Sequence, residues 1–477
     1  MPSYISGTFR GYPSTGRTQV LPELLDRSLV VDQVGNIAHF EPSNSPASVS
    51  LIALASQTRE PVSQIPEGSF LLPTFCDLHL HAPQFLYQGN GLDLPLLEWL
   101  DKYTYKAEER LDSDPVLAKR VYDRLARRLL ENGTGAVSFF GTIKAQTNEI
   151  LAQSMLDAGI RARVGKLSMD ISSRPTYVEA SAEASLEAAR VFALDTCALL
   201  AQQTGKSLIE PVLTPRFVPT CSDELLSGLA DMSSKHSLHV QSHLAEAYDQ
   251  VKWVEDTRGK DDIDVFDQAR LLNPRTLQAH CTYLTPPDLQ RIVDSGTSIA
   301  HCPLSNIYFS SEPFPLREAL KMGVKIGLGT DVAGGYSLDM MSAMRNAVAV
   351  SRMRENRRLT EVRASSSSST NEVVDEQASL AITWTESLYL ATRGGVIALG
   401  GSWKDLGHFK VGAPFDAQQI KLVGEDREGV GALDFFDLAS DISPAGLSLE
   451  MVEKWWCIGD NRNRMKVWIQ GVQCFGV

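Results

Sequence analysis

Five of the nine histidines in this 477-residue chain stand at the ends of short apolar runs, and two of them, His79 and His81, are separated by one residue. Residues i and i+2 of an extended strand face the same side, so this pair can point together and share one ion. Imidazole nitrogen is a good zinc ligand, and His243 and Asp331, each following a later apolar run, complete a set of three imidazoles and one carboxylate. Zinc held in such a set lowers the pKa of a bound water towards about 7, which yields a nucleophile at neutral pH. An isolated H-x-H is a weak signal; its conjunction with His243, His280 and Asp331 on separate runs gives it weight. Glu246, three residues after His243, falls where a strand gives way to a helix, so it can reach back over the metal and shuttle protons once burial raises its pKa. Its other reading is a helix N-terminal carboxylate stabilised by the dipole. His239 shares the parity of His243 but lies deeper, where a hydrogen-bonded core histidine is expected. His301 either orients Asp331 or fills the core.

These residues need a scaffold that brings separate strand ends to one face. Eight apolar runs alternate with helical patterns: Leu71–Leu80, Ala136–Phe140, Arg163–Met169, Pro211–Thr214, Leu238–Ser242, Thr276–Ala279, Ser298–Ala300 and Val324–Gly329. Eight is the strand number of a (β/α)8 barrel, which carries its chemistry at the C-terminal ends of its strands. Between two of them, Asp114-Pro115 opens a helix whose Leu117, Val121, Leu125 and Leu129 recur every four residues until Asn132-Gly133. A second helix is expected to begin at Thr383, with Glu386 completing a capping box, and to end before Gly394-Gly395.

The flanks carry short β segments (Leu29–Val31, Ile37–Phe40, Val49–Ala53, Gln418–Leu422, Met465–Ile469). Residues 1–70 and 400–477 are therefore expected to pair into one composite β-sandwich domain, with 71–399 forming the α/β barrel. Within the barrel region, residues 357–376 include five consecutive serines and no apolar periodicity, which reads as a disordered surface insertion without a catalytic role. The formal charge is −13, with 45 basic against 58 acidic residues. That balance argues against nucleic acid or an anionic membrane as partner and suits a small, neutral or weakly charged ligand. The seven cysteines are dispersed with no C-x-x-C pair, as expected of reduced thiols in a cytoplasmic protein. The first residues lack a secretory pattern, and no apolar stretch reaches the roughly 18 residues of a membrane span.

The stretches HLHAPQFLYQGNGLDLPLLEWL (79–100), VGKLSMD (164–170), PVLTPRF (211–217), QSHLAE (241–246), SIAHCPLSN (298–306) and KIGLGTDVAGGYS (325–337) resemble the amidohydrolase superfamily. Within it they are similar to the guanine-deaminating branch over nearly the whole chain. The resemblance implies a distorted barrel with a composite β-sandwich, one Zn2+ per chain, a homodimer, and hydrolysis of guanine to xanthine and ammonia in purine catabolism. It implies His79, His81, His243 and Asp331 as zinc ligands, Glu246 as proton shuttle and His280 as the histidine that helps activate water. His243, Glu246 and Asp331 would also face the substrate. It places Gln84, Arg216 and Phe217 against the purine, where an amide and a guanidinium meet ring acceptors and a phenyl ring stacks. The other readings are a surface Gln84, an Arg216 paired with a carboxylate and a core Phe217. Strand four ends in Thr214-Pro215-Arg216, without the bridging lysine of binuclear relatives, so a single metal is expected.

The chain departs from the family pattern at Cys281, where glycine commonly follows the histidine and a side chain would narrow the pocket. It departs again at Leu304, where asparagine is common. The competing readings are a related deaminase or chlorohydrolase acting on a triazine or pterin, and a non-catalytic scaffold, which would typically have lost ligands that this chain keeps. A cytidine-deaminase site is disfavoured because its P-C-x-x-C element is absent. Gly205-Lys206-Ser207 has Leu200 in place of the first glycine of a phosphate loop.

Overall fold

The structure is a computed structural model that describes residues 3–11, 23–59, 62–196, 208–365, 379–423, 431–435 and 447–476. One of its two sheets is a parallel barrel wall. The strands are Phe75–His81, Thr134–Phe140, Arg161–Gly165, Ile209–Pro215, His239–Leu244, Thr276–His280, Ser298–His301 and Lys325–Leu328. Each pairs in parallel with the next. All seven residues of the first strand and all seven of the second are buried, and a strand covered on both faces reads as an unbroken apolar run.

The seam between the first and eighth strands is closed by a side chain. Asp77 accepts from the Thr330 amide (3.0 Å) and hydroxyl (2.5 Å). One step further up, the Asp331 amide donates to the His79 carbonyl (2.8 Å) and the His81 amide to that of Val332 (3.0 Å). A Cβ at Gly329 would lie 2.7 Å from that of His79, so only glycine lets the eighth strand approach so closely.

The second sheet joins both ends of the chain. Ser69–Pro73 lies between Ser3–Gly11 and Ala417–Lys421, with Glu23–Val31 and Ile37–Pro42 beyond on one side and Arg464–Ile469 and Val472–Phe475 on the other. A buried ion pair from Arg161 to Asp416 (2.6 Å) fastens this sheet to the third barrel strand.

Several elements differ from the sequence expectation. The run Leu71–Leu80 is two strands, because Pro73 lacks the amide that would continue the ladder and Phe75–His81 turns into the barrel. The third run is interrupted at Lys166, and Leu167–Ser168 pairs separately with the fourth strand. Val49–Ala53 lies in a helix, Pro46–Thr58, started by the Ser45 hydroxyl accepting from the Ser48 amide; a short apolar run does not separate the two states by itself. The Pro115–Glu131 helix has Asp114 as its cap and buries Val121, Leu125 and Leu129. The helix capped by Thr383 ends at Leu390, before Gly394-Gly395 as expected, but those glycines fall inside the next helix, Arg393–Leu399, and are not its stop. The expected insertion is helical at its start: Met340–Ser365 runs through it, carried by charged pairs such as Arg357–Glu361 and Arg358–Glu355 rather than by an apolar stripe. Residues 366–376 lie outside the described residues, as do Cys197 and Gly205-Lys206-Ser207.

Candidate active site

The barrel brings His79, His81, His243, Glu246, His280 and Asp331 together at the C-terminal ends of the first, fifth, sixth and eighth strands, all of them buried. His79 Nε2 lies 3.1 Å and His81 Nε2 3.5 Å from Asp331 Oδ1, and the Nε2 atoms of His81 and His243 are 3.0 Å apart. His280 Nε2 stands 3.5 Å from Glu246 Oε1 and 3.7 Å from Asp331 Oδ2.

Their surroundings fix which nitrogens are bare. His243 Nδ1 lies 2.6 Å from the carbonyl oxygen of Arg216, which can only accept, so Nδ1 carries the proton and Nε2 presents its lone pair to the cluster. His280 Nδ1 donates in the same way to Asn306 Oδ1 at 2.9 Å. His280 Nε2 is buried without a hydrogen-bond partner. Converging unprotonated imidazole nitrogens beside a carboxylate are costly to bury unless a cation accepts their lone pairs, and His79, His81 and His243 form a cluster able to hold a metal ion. The donor set therefore fits a metal. Lys166, at the break in the third strand, is ion-paired with Glu179.

Electrostatics agree with this arrangement. Burial pushes His81 and His243 well below the usual imidazole value, and the neighbouring imidazoles push the same way. Burial also lowers His280, to about 4, against the opposing pull of Asp331. Burial alone would raise Asp331, but His79 and His280 more than offset it and hold its carboxyl low. Glu246 moves the other way: burial and then the Asp331 carboxylate raise it well above the ordinary range, which suits a group that takes up and gives back protons. The strand ends are strained, with positive φ at His280 (69°), Cys281 (57°) and Asp331 (50°). Such conformations in non-glycine residues concentrate at functional sites.

Beside the cluster opens a pocket lined on its polar side by His81, Gln84, Arg216, His243, Glu246 and Asp331. Phe217, Trp99 and Phe309 supply aromatic walls. Gln84 is buried rather than on the surface. Arg216 is paired with a carboxylate and also lines the pocket: its guanidinium makes two bonds to Glu108, at 2.7 and 3.1 Å, over the Tyr105 ring. Cys281 does not narrow the pocket. Its Sγ turns towards the carbonyls of Gln278 and Ala279, into the core.

His301 lies 3.5 Å from Asn306 Nδ2 and packs on Phe314, so it backs His280 through Asn306 and does not touch Asp331. His239, half-buried, contacts the Arg275 carbonyl at 3.3 Å, away from the cluster. Three residues that matter here were not singled out in the sequence: Glu108, Asn306 and Trp99. Glu108 carried no signal, being one acid in a charged helical stretch, whereas Asn306 stood in the SIAHCPLSN motif.

Residues 70–473 match the amidohydrolase family model. The chain belongs to the amidohydrolase family. Similar members include the guanine deaminase of Homo sapiens, 37% identical over 86% of this chain and 84% of the relative, and that of Dictyostelium discoideum, 32% identical over 96% and 94%. Among solved amidohydrolase structures, the guanine deaminase from C. acetobutylicum with bound guanine superposes with a TM-score of 0.81 at 27% identity, covering 100% of both chains. Among the described residues no helix is long and apolar enough to cross a membrane.

Proposed function

We propose that this protein is a guanine deaminase that hydrolyses guanine to xanthine and ammonia, with His79, His81, His243 and Asp331 holding one zinc ion. The observation that carries this reading is the adjacency of a buried three-histidine, one-carboxylate cluster to a pocket whose other wall offers Gln84, Arg216 and an aromatic face. When bound, zinc supplies a Lewis acid that acidifies water in the site. The neutral pair formed by Arg216 and Glu108 suits an uncharged ring. Gln84 and Arg216 hold the carbonyl-bearing edge of guanine, and Phe217 lies against its face.

With C2 turned to the histidine cluster, Glu246 accepts a proton from the attacking water and delivers it to N3, which makes C2 electrophilic. His280, through its bare Nε2, and Asp331 hold that water in line with C2. Glu246 then takes up the remaining proton of the new hydroxyl and passes it to the amino group, which leaves as ammonia. One water enters and one ammonia departs, so atoms and charge balance. We further place the enzyme in purine catabolism, in the cytoplasm and as a homodimer, the last checked by solution mass.

The test is ammonia release by purified, zinc-loaded protein offered guanine, with adenine, cytosine and a pterin in parallel and metal content measured on the same sample. Selective conversion of guanine with about one zinc per chain is expected. Intact zinc with guanine untouched would move the substrate.

A further inference from the structure

Glu108 has no place in the reaction sequence above, yet it is wholly buried against two of the side chains that line the pocket. Gln84 Nε2 donates to Glu108 Oε1 at 3.1 Å, while Gln84 Oε1 accepts from the Ala333 amide at 3.2 Å. A carboxylate can only accept and a backbone amide can only donate, so both neighbours impose the same orientation on the Gln84 amide. Its oxygen is turned to the backbone, and its nitrogen keeps a second N–H beyond the one Glu108 takes. Arg216 has five N–H donors and no acceptor, and Glu108 draws two of them, fixing the plane of the fork above Tyr105. This wall of the pocket thus displays hydrogen-bond donors and keeps its acceptors behind it.

We propose that Glu108 is a specificity-determining positioning residue: by orienting Gln84 and Arg216 it makes one wall of the pocket donor-only, so that the site selects a ring edge carrying a carbonyl acceptor over one carrying an amino group. The identity of the ring as a purine rests on the function proposed above. An amino group set against this wall leaves donor facing donor inside a buried site, and unpaired buried donors are what a polar pocket discriminates against most strongly.

Replacing Glu108 by glutamine breaks the logic without changing the shape. The substituted side chain has one acceptor end and one donor end. Glu108 Oε1 accepts from both Gln84 and Arg216, so an amino end in its place faces both and the Gln84 amide must rotate to present oxygen. An amino end in place of Oε2 instead faces Arg216 Nη1 and unseats the fork.

The experiment is calorimetric titration of zinc-loaded wild type and Glu108→Gln with hypoxanthine and with adenine, which differ at the 6-position as carbonyl against amino. Guanine turnover is measured on the same wild-type sample. Wild type is expected to prefer hypoxanthine, and the variant to lose about tenfold or more of that preference, chiefly through weaker hypoxanthine binding. A folded variant that weakens both ligands by the same factor, or a wild type without preference, overturns the proposal. If guanine is not turned over while the carbonyl preference and its loss are observed, the proposed reaction fails and the donor wall stands. If Glu108→Gln does not fold, Glu108→Asp keeps the charge but withdraws it by one methylene, too far to clasp both partners. Part of the preference should then disappear, and a folded Glu108→Asp with undiminished preference also refutes the role.

Discussion

Asn306 should control the rate by controlling the tautomer of His280. Its side-chain oxygen accepts from His280 Nδ1 at 2.9 Å, and its amino group faces His301 Nδ1 at 3.5 Å, so His301 helps set which way the amide points. His280 is fully buried, and its Nε2 has no hydrogen-bond partner in the direction of Glu246 and Asp331. In Asn306→Leu the Nδ1 proton has no acceptor. A buried orphaned donor costs about 1–3 kcal/mol, so the ring is driven to carry its proton on Nε2, where it can no longer accept from the attacking water. If that cost must be met to regain the working tautomer, kcat for guanine should fall about 5- to 150-fold, since 1.36 kcal/mol corresponds to tenfold. Steady-state kinetics at matched zinc content test the rate, with the KM change expected to be small. Selective 15N labelling of histidine tests the tautomer directly. Asn306→Asp keeps an acceptor at the same place and should retain most of the activity. A folded Asn306→Leu within twofold of the wild-type kcat, with full zinc content, would refute the reasoning.

Glu246→Gln should keep its zinc, because Glu246 is outside the proposed ligand set, while kcat drops by about 10²–10⁴; substantial residual turnover would remove the shuttle. Asp262, buried beside Gln250, has its carboxyl raised by burial from 3.8 to about 7. An acid raised in the folded state favours folding most below its unfolded value, and that advantage is lost as pH climbs through about 7. Its ionisation therefore costs about 4 kcal/mol of stability by neutral pH. Asp262→Asn carries no such cost, so its denaturation midpoint should gain on the wild type between pH 4 and 7 and run parallel to it above; a constant difference across that range counts against the assignment. Deleting Ser365 to Ser369, far along the chain from every residue of the pocket, should leave the guanine rate close to normal, and a large loss would give that segment a role.

The parts of the fold that were legible in the sequence are those in which one local rule dominates. The barrel strands are buried on both sides and read as apolar runs, and Asp114-Pro115 with its stripe of Val121, Leu125 and Leu129 announces a helix. What stayed hidden depends on distant partners. Whether Val49–Ala53 would be strand or helix was settled by the Ser45 cap, not by hydrophobicity, and the extended helix through Arg357–Glu361 is held by charges that no apolar period reports. Ser69–Pro73 belongs to the terminal sheet only because Ala417–Lys421, more than 300 residues later, pairs with it.

The site divides along the same line. The histidines, Asp331 and Glu246 each stand at a strand end, so a barrel topology is enough to gather them. Glu108 and Asn306 touch no reacting atom in the proposed chemistry; they act by fixing an amide, a fork and an imidazole that were already recognisable, through contacts spanning 24, 108 and 26 residues. A carboxylate that orients two donors is chemically the same residue as one that solvates a helix face, and only the buried geometry separates them. This is also why Glu108 should govern which ring edge binds while Asn306 governs how fast the bound ring reacts. One fixes the wall that meets the substrate before chemistry, and the other fixes the lone pair that the attacking water meets during it. Combining Glu108→Gln with Asn306→Leu should therefore multiply a binding defect by a rate defect, with little coupling between them.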